Sequence, residues 1–244
     1  MTIKILNCGS MHPFFPAIHG GITCLLVDTI RGPVLVDTGF GREDYLHPNL
    51  KTRLFTFLQG CPCDLEETAY NQVQHLGYHP EDIHHIIMTH MHFDHAGGLP
   101  DFPEAQVHLS QAELDHISGR FPGWAYNPRH WAHSPLWNPY SPSGEKWFDF
   151  DAIRLPDFEP EMWLISLPGH TPGHAGVAVR TEAGWLLHAG DAVPFNMAIE
   201  EAPDSISRRL LGPHGPHILT LMKAHPEVQL VGAHMSLDFY QQPG

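Results

Sequence analysis

The strongest constraint on the fold is a cluster of metal-ligand side chains at the end of an apolar run. Residues 83–89 have the β-branched, apolar composition of a buried strand, and they lead directly into His90. Three histidines and one aspartate follow within six positions, as His90-x-His92-x-Asp94-His95. Functional sites in layered α/β folds collect at strand ends, so this placement favours a metal site over a histidine-rich surface loop. The second interpretation keeps some weight because 21 of the 244 residues are histidines.

The composition indicates a folded, acidic protein. Apolar residues make up 42% of the chain and charged residues 16%, which is typical of a globular protein with a buried core. The net charge of −14 argues against nucleic acid and against an anionic membrane surface, because both are bound through clustered Lys and Arg. We identify no signal peptide and no membrane-spanning run. The four cysteines form no C-x-x-C pair, which favours structural thiols and a cytoplasmic location.

The hydrophobic pattern predicts two successive sets of strands with helices between and after them. The predicted strands are 3–8, 21–27, 33–37, 83–89, 106–109, 162–167, 175–180, 184–188 and 228–231. Helices are predicted over 65–76, over 110–117 and within 210–223. The second of these helices starts with a capping-box pattern, Ser110-x-x-Glu113. We therefore expect one domain over residues 1–244, with two mixed sheets packed face to face and helices outside.

Residues 118–150 interrupt this pattern with many prolines and aromatic residues. The aromatic residues include Trp124, Tyr126, Trp131, Trp137, Tyr140 and Trp147. An insertion of this kind can form a lid, the wall of an apolar pocket or a homodimer contact, and the sequence leaves these alternatives open.

Three later strand ends also carry ligand-type residues. His170 lies in the loop after the strand 162–167, Asp191 follows Gly190, and His234 follows the last strand. Imidazole nitrogen and carboxylate oxygen are ligands for zinc and related divalent metals. One loop cannot surround a metal pair, so we expect these residues to converge on the His90–His95 loop.

These motifs together resemble the metallo-β-lactamase-fold hydrolase superfamily. The resemblance is carried by His90-Met-His-Phe-Asp-His95, Pro168-Gly-His-Thr-Pro-Gly-His174, Gly190-Asp191, Gly232-Ala-His234 and Leu35-Val-Asp-Thr-Gly39. It implies an α+β fold, an αββα four-layer sandwich of two mixed β-sheets flanked by helices. The order and spacing of the motifs cover most of the chain.

The same resemblance implies a two-metal site. His90, His92 and His170 would hold one ion, while Asp94, His95 and His234 would hold the other, with Asp191 bridging them. The ions would be zinc, although the ligand set also accepts iron or manganese. A hydroxide bridging the two metals would attack an ester or lactone carbonyl, and Asp94 would orient it and shuttle its proton. His174 matches a family position that is usually not a ligand, and we expect His84, His85 and His188 not to be ligands either.

With an aspartate at position 191, the ligand set resembles that of the lactonase and glyoxalase II-like branches. Antibiotic-hydrolysing members commonly use cysteine in the second site. We favour a lactonase because no glutathione-binding helical segment is seen after His234. N-acyl homoserine lactonases, however, often place a tyrosine soon after the aspartate, and residues 192–196 contain none. The expected substrate is a small, neutral molecule with an apolar part. The alternatives are a thioesterase of glyoxalase II type and a mononuclear iron persulfide dioxygenase, in which His95 and His234 would not bind metal.

Overall fold

The computed structural model describes residues 2–13, 19–194 and 213–241, and these residues form two sheets. Within the described residues the strands of the first sheet are β1 (Ile3–Met11), β2 (Gly20–Thr29), β3 (Gly32–Val36), β4 (His85–Ile87), β5 (Gln106–Ser110), β6 (Leu136–Tyr140) and β13 (His234–Ser236). Those of the second sheet are β7 (Lys146–Trp147), β8 (Phe150–Arg154), β9 (Met162–Ser166), β10 (Ala175–Thr181), β11 (Gly184–His188) and β12 (Val228–Val231).

Both sheets are mixed. In the first, β1, β2 and β3 pair antiparallel, and β3, β4, β5 and β6 run parallel to one another. In the second, β7 to β11 pair antiparallel and β12 runs parallel to β11. The helices of the described residues are α1 (Arg42–Leu46), α2 (Leu50–Leu58), α3 (Ala69–His75), α4 (Phe93–Ala96), α5 (Gln111–Ile117) and α6 (Gly215–Ala224).

The side chains of β3 show how one strand is buried on both faces. Val34 and Val36 pack between the two sheets, while Leu35 points to the opposite face and packs with Val73 of α3. Successive side chains of a strand point to opposite faces, so a continuous apolar run suits a strand that is covered on both sides. On the outer face of the second sheet, Ile218 of α6 belongs to the corresponding cluster. The predicted four-layer sandwich is thereby confirmed.

The pairing of β2 brings a distant part of the chain to the edge where β3 and β4 end. β3 pairs with residues 25–29 of β2, and β13 pairs with residues 20–22 of the same strand. β13 therefore continues the line of β3, which places His234 beside the end of that strand. At the same edge Ala175 N donates to Thr89 O over 2.9 Å and joins the second sheet to the chain after β4.

Some predicted elements differ from the observed ones. The predicted helix 65–76 is divided, because Thr68 is extended and caps α3 with its hydroxyl after a short 3-10 turn over Leu65–Glu67. The helix α2 was not predicted, and the strand predicted over 83–89 is regular only in β4. Part of the helix predicted within 210–223 falls on residues 210–212, which lie outside the described residues.

Residues 118–150 contribute to both sheets. β6 adds an edge strand parallel to β5, and β7 begins the second sheet. The earlier part of the segment packs near the histidine loop, where Phe93 N donates to Ala125 O over 2.9 Å. The segment thus links the two sheets.

All four cysteines are free thiols, and Cys8 and Cys24 are buried. Among the helices of the described ranges, none has the length and hydropathy needed to cross a bilayer.

A buried histidine pair joins the start of β4 to β5 in the first sheet. His85 Nδ1 lies 3.0 Å from His108 Nε2, and His108 Nδ1 lies 2.9 Å from the Tyr140 hydroxyl. Burial lowers the pKa of His108 to about 4, and burial also lowers the pKa of His85. The folded protein therefore favours the neutral form of both rings.

Because folding lowers the pKa of both histidines, we expect the protein to lose stability in mild acid. The pKa of each ring is lower in the folded than in the unfolded chain, so the stabilisation is complete above about pH 6.5 and declines as the pH falls toward about 4. In urea denaturation of metal-free protein, the wild type should lose about 1–2 kcal/mol more than His108→Gln between pH 7 and pH 5. His84→Gln, at an exposed neighbouring position, should behave like the wild type. Equal losses in all three proteins would contradict the prediction.

Candidate metal centre

The His90–His95 loop starts where β4 ends and closes into a short helix. Met88 and Thr89 separate β4 from His90, and His92 is the N-cap of α4. Asp94 and His95 therefore lie within the single turn of α4, and both are buried. The loop and the turn of α4 together bring four potential ligand side chains, His90, His92, Asp94 and His95, to one edge of the sandwich.

The structure brings the other three predicted ligands to the same point. His170 lies in the loop after β9, Asp191 follows β11, and His234 is the first residue of β13. We call His90, His92 and His170 the first triad and Asp94, His95 and His234 the second triad. In each triad, one ligand atom from every side chain lies within 4.8 Å of those of the other two, a spacing that could hold a metal ion.

The Asp191 carboxylate lies between the two triads. Its Oδ2 is 3.0 Å from His170 Nε2 of the first triad. Its Oδ1 is 3.4 Å from His95 Nε2 and 3.5 Å from His234 Nε2 of the second triad. One oxygen therefore faces each triad, which is the arrangement that a carboxylate bridging two ions requires.

The donor set fits a pair of divalent metal ions. Four ligand atoms at about 2.1 Å around a tetrahedral zinc ion lie about 3.4 Å apart, close to the separations around Asp191. Within the described residues, His90 Nε2 and His95 Nε2 are buried without a hydrogen-bond partner. A buried polar atom without a partner is costly, and a metal ion at each position would satisfy it.

Asp37, at the end of β3, orients the histidine loop. It has a φ of 57°, a left-handed conformation that is uncommon outside glycine. Its carboxylate accepts hydrogen bonds from Thr89 N (2.8 Å) and Thr89 Oγ1 (2.7 Å), and its Oδ2 lies 2.8 Å from His95 Nδ1. Since His95 Nδ1 makes this contact with Asp37, the other ring nitrogen, Nε2, faces Asp94 and His234, the other two members of the second triad.

Sequence reasoning noted Asp37 only as part of a strand-and-turn signature and assigned it no role. Its position after a strand at the same edge was the signal that could have suggested one.

Two buried histidines near the cluster use both ring nitrogens elsewhere. His174 Nε2 accepts from Asp191 N over 2.9 Å, and its Nδ1 lies 3.1 Å from Leu167 O. His188 Nδ1 accepts from Gly190 N, and its Nε2 lies 3.0 Å from Thr23 O. Neither ring has a lone pair directed at the triads. His174 instead fixes the backbone at Asp191.

Burial and neighbouring charges separate the two triads electrostatically. Burial lowers the pKa of His92 to about 4 and lowers that of His90 well below its usual value. Burial also opposes charge on His95, but Asp94 and Asp37 raise its pKa well above the usual value. The pKa of Asp191 is held well below its usual range by His234 and His95, despite burial. His90 and His92 of the first triad thus offer neutral nitrogens, while His95 of the second triad lies in an acidic environment that favours a cation.

The cluster opens to solvent on the side of the first triad. His170 is exposed and His92 is half-buried, whereas His90, Asp94 and His95 are buried. The ring of Tyr126 packs edge-on against His92, with centroids 4.7 Å apart. A ligand of the centre would therefore approach past His92 and His170.

The sequence profile of the metallo-beta-lactamase superfamily matches residues 18–222 of the chain. The chain belongs to this superfamily. A probable metallo-hydrolase of Mycobacterium tuberculosis is 39% identical over 258 residues, which span 99% of this chain and 82% of that protein. An N-acyl homoserine lactonase of Bacillus cereus is 31% identical over 169 residues, which span 68% of this chain and 61% of the lactonase. The predictions of the family and of a metal-dependent hydrolase are confirmed.

Solved structures share the fold of this superfamily member. An N-acyl homoserine lactone hydrolase with N-hexanoyl-L-homoserine bound at its catalytic metal centre matches with a TM-score of 0.72 and 21% identity, over 100% of this chain and 98% of that one. A dizinc quorum-quenching lactonase in complex with a product matches with a TM-score of 0.57 and 20% identity, over 90% and 74% of the two chains.

Replacement of Asp191 tests whether the two triads act as one centre. Asp191→Ala removes both oxygens from between the triads, so zinc affinity should fall by about tenfold or more, and hydrolytic activity should fall with it. Metal analysis after dialysis against dilute zinc measures the first effect. His84→Ala, at the exposed position before β4, should keep its metal content. Full metal content and full activity in Asp191→Ala would exclude a bridging role.

Proposed function

We propose that this protein is a two-metal hydrolase that opens lactone or ester bonds of small molecules. The observation that supports this most directly is the position of Asp191, with one carboxylate oxygen toward each triad. A carboxylate that faces two sets of nitrogen and oxygen donors is suited to holding two cations a few ångströms apart.

In this proposal, His90, His92 and His170 hold the first ion, and Asp94, His95 and His234 hold the second. Asp191 bridges the two. Zinc suits this set of imidazole and carboxylate donors. A pair of bound divalent ions supplies an activated water near neutral pH and a Lewis acid for the substrate carbonyl.

Asp94 is the side chain best placed to handle the proton. Its Oδ2 lies 3.6 Å from His234 Nε2 and 3.9 Å from His95 Nε2, at the deep end of the cluster. It orients the attacking water and accepts its proton as the new carbon–oxygen bond forms. When the bond from the carbonyl carbon to the ring oxygen breaks, the leaving oxygen takes up that proton, and the product is a hydroxy acid.

The open side of the cluster supports a neutral substrate with an apolar part. The aromatic ring of Tyr126 lies beside His92 on that side, and among the described residues no Lys or Arg side chain forms a hydrogen bond with either triad. N-acyl homoserine lactones are the first compounds to test, because curated relatives with 31% identity are named as lactonases for them. Residues 192–196 contain no tyrosine, so a contact to the substrate carbonyl would come from a group other than a tyrosine directly after Asp191.

The second triad distinguishes this proposal from a mononuclear iron dioxygenase. That reaction class would leave His95 and His234 without metal. In this chain their Nε2 atoms both lie within 3.5 Å of Asp191 Oδ1, and Asp94 completes the group. A second metal position is therefore as complete as the first.

A substrate panel on metal-quantified protein tests the proposed function. The panel contains N-acyl homoserine lactones of short and long chain, other lactones, aryl esters and a glutathione thioester. Two zinc ions per chain together with lactone turnover would support the proposal. One iron ion per chain with persulfide oxidation would contradict it, and turnover confined to the thioester would replace the lactonase by a thioesterase.

The role of Asp94 leads to a kinetic prediction. Asp94→Asn keeps the shape of the side chain but removes its capacity to take a proton, so kcat at saturating zinc should fall by about 10²-fold. KM should change much less, because the first triad and the open side are untouched. Asp115→Asn, on an exposed position of α5, serves as the control and should match the wild type. An unchanged kcat in Asp94→Asn would exclude the proton-transfer role.

A further inference from the structure

Glu113 is a fully buried carboxylate that the reaction described above does not use. It occupies the third position of α5 and has 0% exposure. A capping box would turn its side chain back to the backbone N–H of Ser110, but the carboxylate instead faces away from its own helix. Burying a carboxylate is unfavourable unless hydrogen-bond donors surround it, so its partners indicate what it stabilises.

The carboxylate accepts four hydrogen bonds. Oε1 accepts from Met91 N over 3.0 Å and from the Tyr126 hydroxyl over 3.2 Å. Oε2 accepts from Thr171 Oγ1 over 2.6 Å and from Gly173 N over 3.2 Å. All four donors come from other parts of the chain.

These donors lie next to the ligands of the first triad. Met91 stands between His90 and His92, and Thr171 directly follows His170. Tyr126 packs its ring against His92. Glu113 therefore joins the two loops that supply the first triad, although none of its four hydrogen bonds goes to an imidazole.

The loop around His170 approaches the start of α5 closely enough to require a glycine. A Cβ added at Gly173 would lie 2.1 Å from Glu113 N and 2.5 Å from Glu113 Cα. Ser110 Oγ donates to Gly173 O over 2.6 Å, while the same oxygen accepts from Glu113 N as the N-cap of the helix. Backbone and side chain at the start of α5 thus both hold this loop.

Asp37, the second buried carboxylate beside the cluster, has partners next to both triads. Asp37 bonds directly to His95 of the second triad, and it contacts Thr89, whose hydroxyl lies 3.1 Å from His90 Nδ1. Asp37 consequently supports both triads, whereas every partner of Glu113 adjoins the first.

We propose that Glu113 is a positioning residue for the first metal ion. It holds the loops of residues 90–92 and 170–173 at the separation that His90, His92 and His170 need to bind one ion together. This inference rests on the two-metal site of the proposed function. Loss of a group that orients metal ligands without touching the metal commonly weakens metal binding 10- to 100-fold.

The test measures zinc affinity separately at each position. His234→Ala leaves only the first position complete, and His170→Ala leaves only the second. Each protein is prepared metal-free, with and without Glu113→Gln, and titrated with Zn²⁺ against a chromophoric chelator. Gln keeps the size of Glu but places an amide NH₂ against one pair of donors, so Met91 N or Gly173 N loses its acceptor.

The expected result is selective. In the His234→Ala background, Glu113→Gln should weaken zinc binding by about 10- to 100-fold. In the His170→Ala background, the change should be under about threefold. An equal loss in both backgrounds would show a general structural role and overturn the proposal, as would no loss in either.

The matched control is Glu67→Gln. Glu67 also ties two segments together through its carboxylate, with Oε2 accepting from Ser10 N and Oε1 from the Ser10 hydroxyl. Within the described part of the chain its side chain bonds only to Ser10, so Glu67→Gln should leave zinc affinity unchanged in both backgrounds. A loss like that of Glu113→Gln would overturn the proposal.

A milder variant covers the case in which Glu113→Gln does not fold. Thr171→Val removes only the hydroxyl that donates to Oε2 and should give a smaller loss, confined to the His234→Ala background. The Co²⁺ absorption spectrum of the first position should change in the same variant, which a loss of global stability alone would not produce. An unchanged spectrum and affinity would overturn the proposal.

The outcome is separable from that of the proposed function. A wild-type protein that binds two zinc ions but hydrolyses no lactone or ester would reject the proposed reaction, while the selective effect of Glu113→Gln would still support the positioning role. Conversely, lactone turnover with a non-selective effect would reject only the positioning role. If His234→Ala bound no zinc, the positioning role would be rejected, because it requires the first triad to hold an ion by itself, whereas the proposed function would still be judged on the metal content and lactone turnover of the wild type.

Discussion

Nitrogen and carboxylate oxygen atoms converge in the interior at one edge of this sandwich, and this convergence is the central physical constraint on the structure. His90 Nε2 and His95 Nε2 are buried there without a hydrogen-bond partner among the described residues. Donor atoms of this kind repel one another or remain unsatisfied unless a cation lies between them. Asp191, with an oxygen toward each triad, links the two halves of the cluster. Much of the surrounding chain holds these donor atoms in place.

The scaffold achieves this because several strands end at the same edge and β13 begins there. β3, β4 and β13 belong to one sheet, and β9 and β11 belong to the other. The pairing of β13 with the first residues of β2 returns the end of the described chain to this edge. Backbone bonds such as Ala175 N to Thr89 O join the chain segments at this edge across the two sheets. A site built on strand ends is positioned by the whole sandwich, which suits the proposed centre of two ions a few ångströms apart.

Two buried carboxylates stabilise the loops without belonging to either triad. Asp37 is directed at the deep side, where His95 lies, and Glu113 at the open side, where His92 and His170 meet solvent. A buried carboxylate surrounded by donors is a rigid connection, because removing any partner leaves an uncompensated polar group. The open side is also where a substrate would enter. The rigidity that Glu113 provides there would keep the exposed ligands in place.

The sequence by itself determined the family, the layered fold and the seven side chains that meet at the edge. Strands buried on both faces leave apolar runs, and polar residues placed directly after them are visible in one dimension. Tertiary structure alone decided what those residues contact. The sequence placed Glu113 in a capping box, and nothing local distinguishes that role from a bond to Met91 and Thr171. It also could not show that residues 118–150 supply strands to both sheets, or that His85 meets His108. Such contacts join residues far apart in the chain, and their geometry exists only once the two sheets have packed.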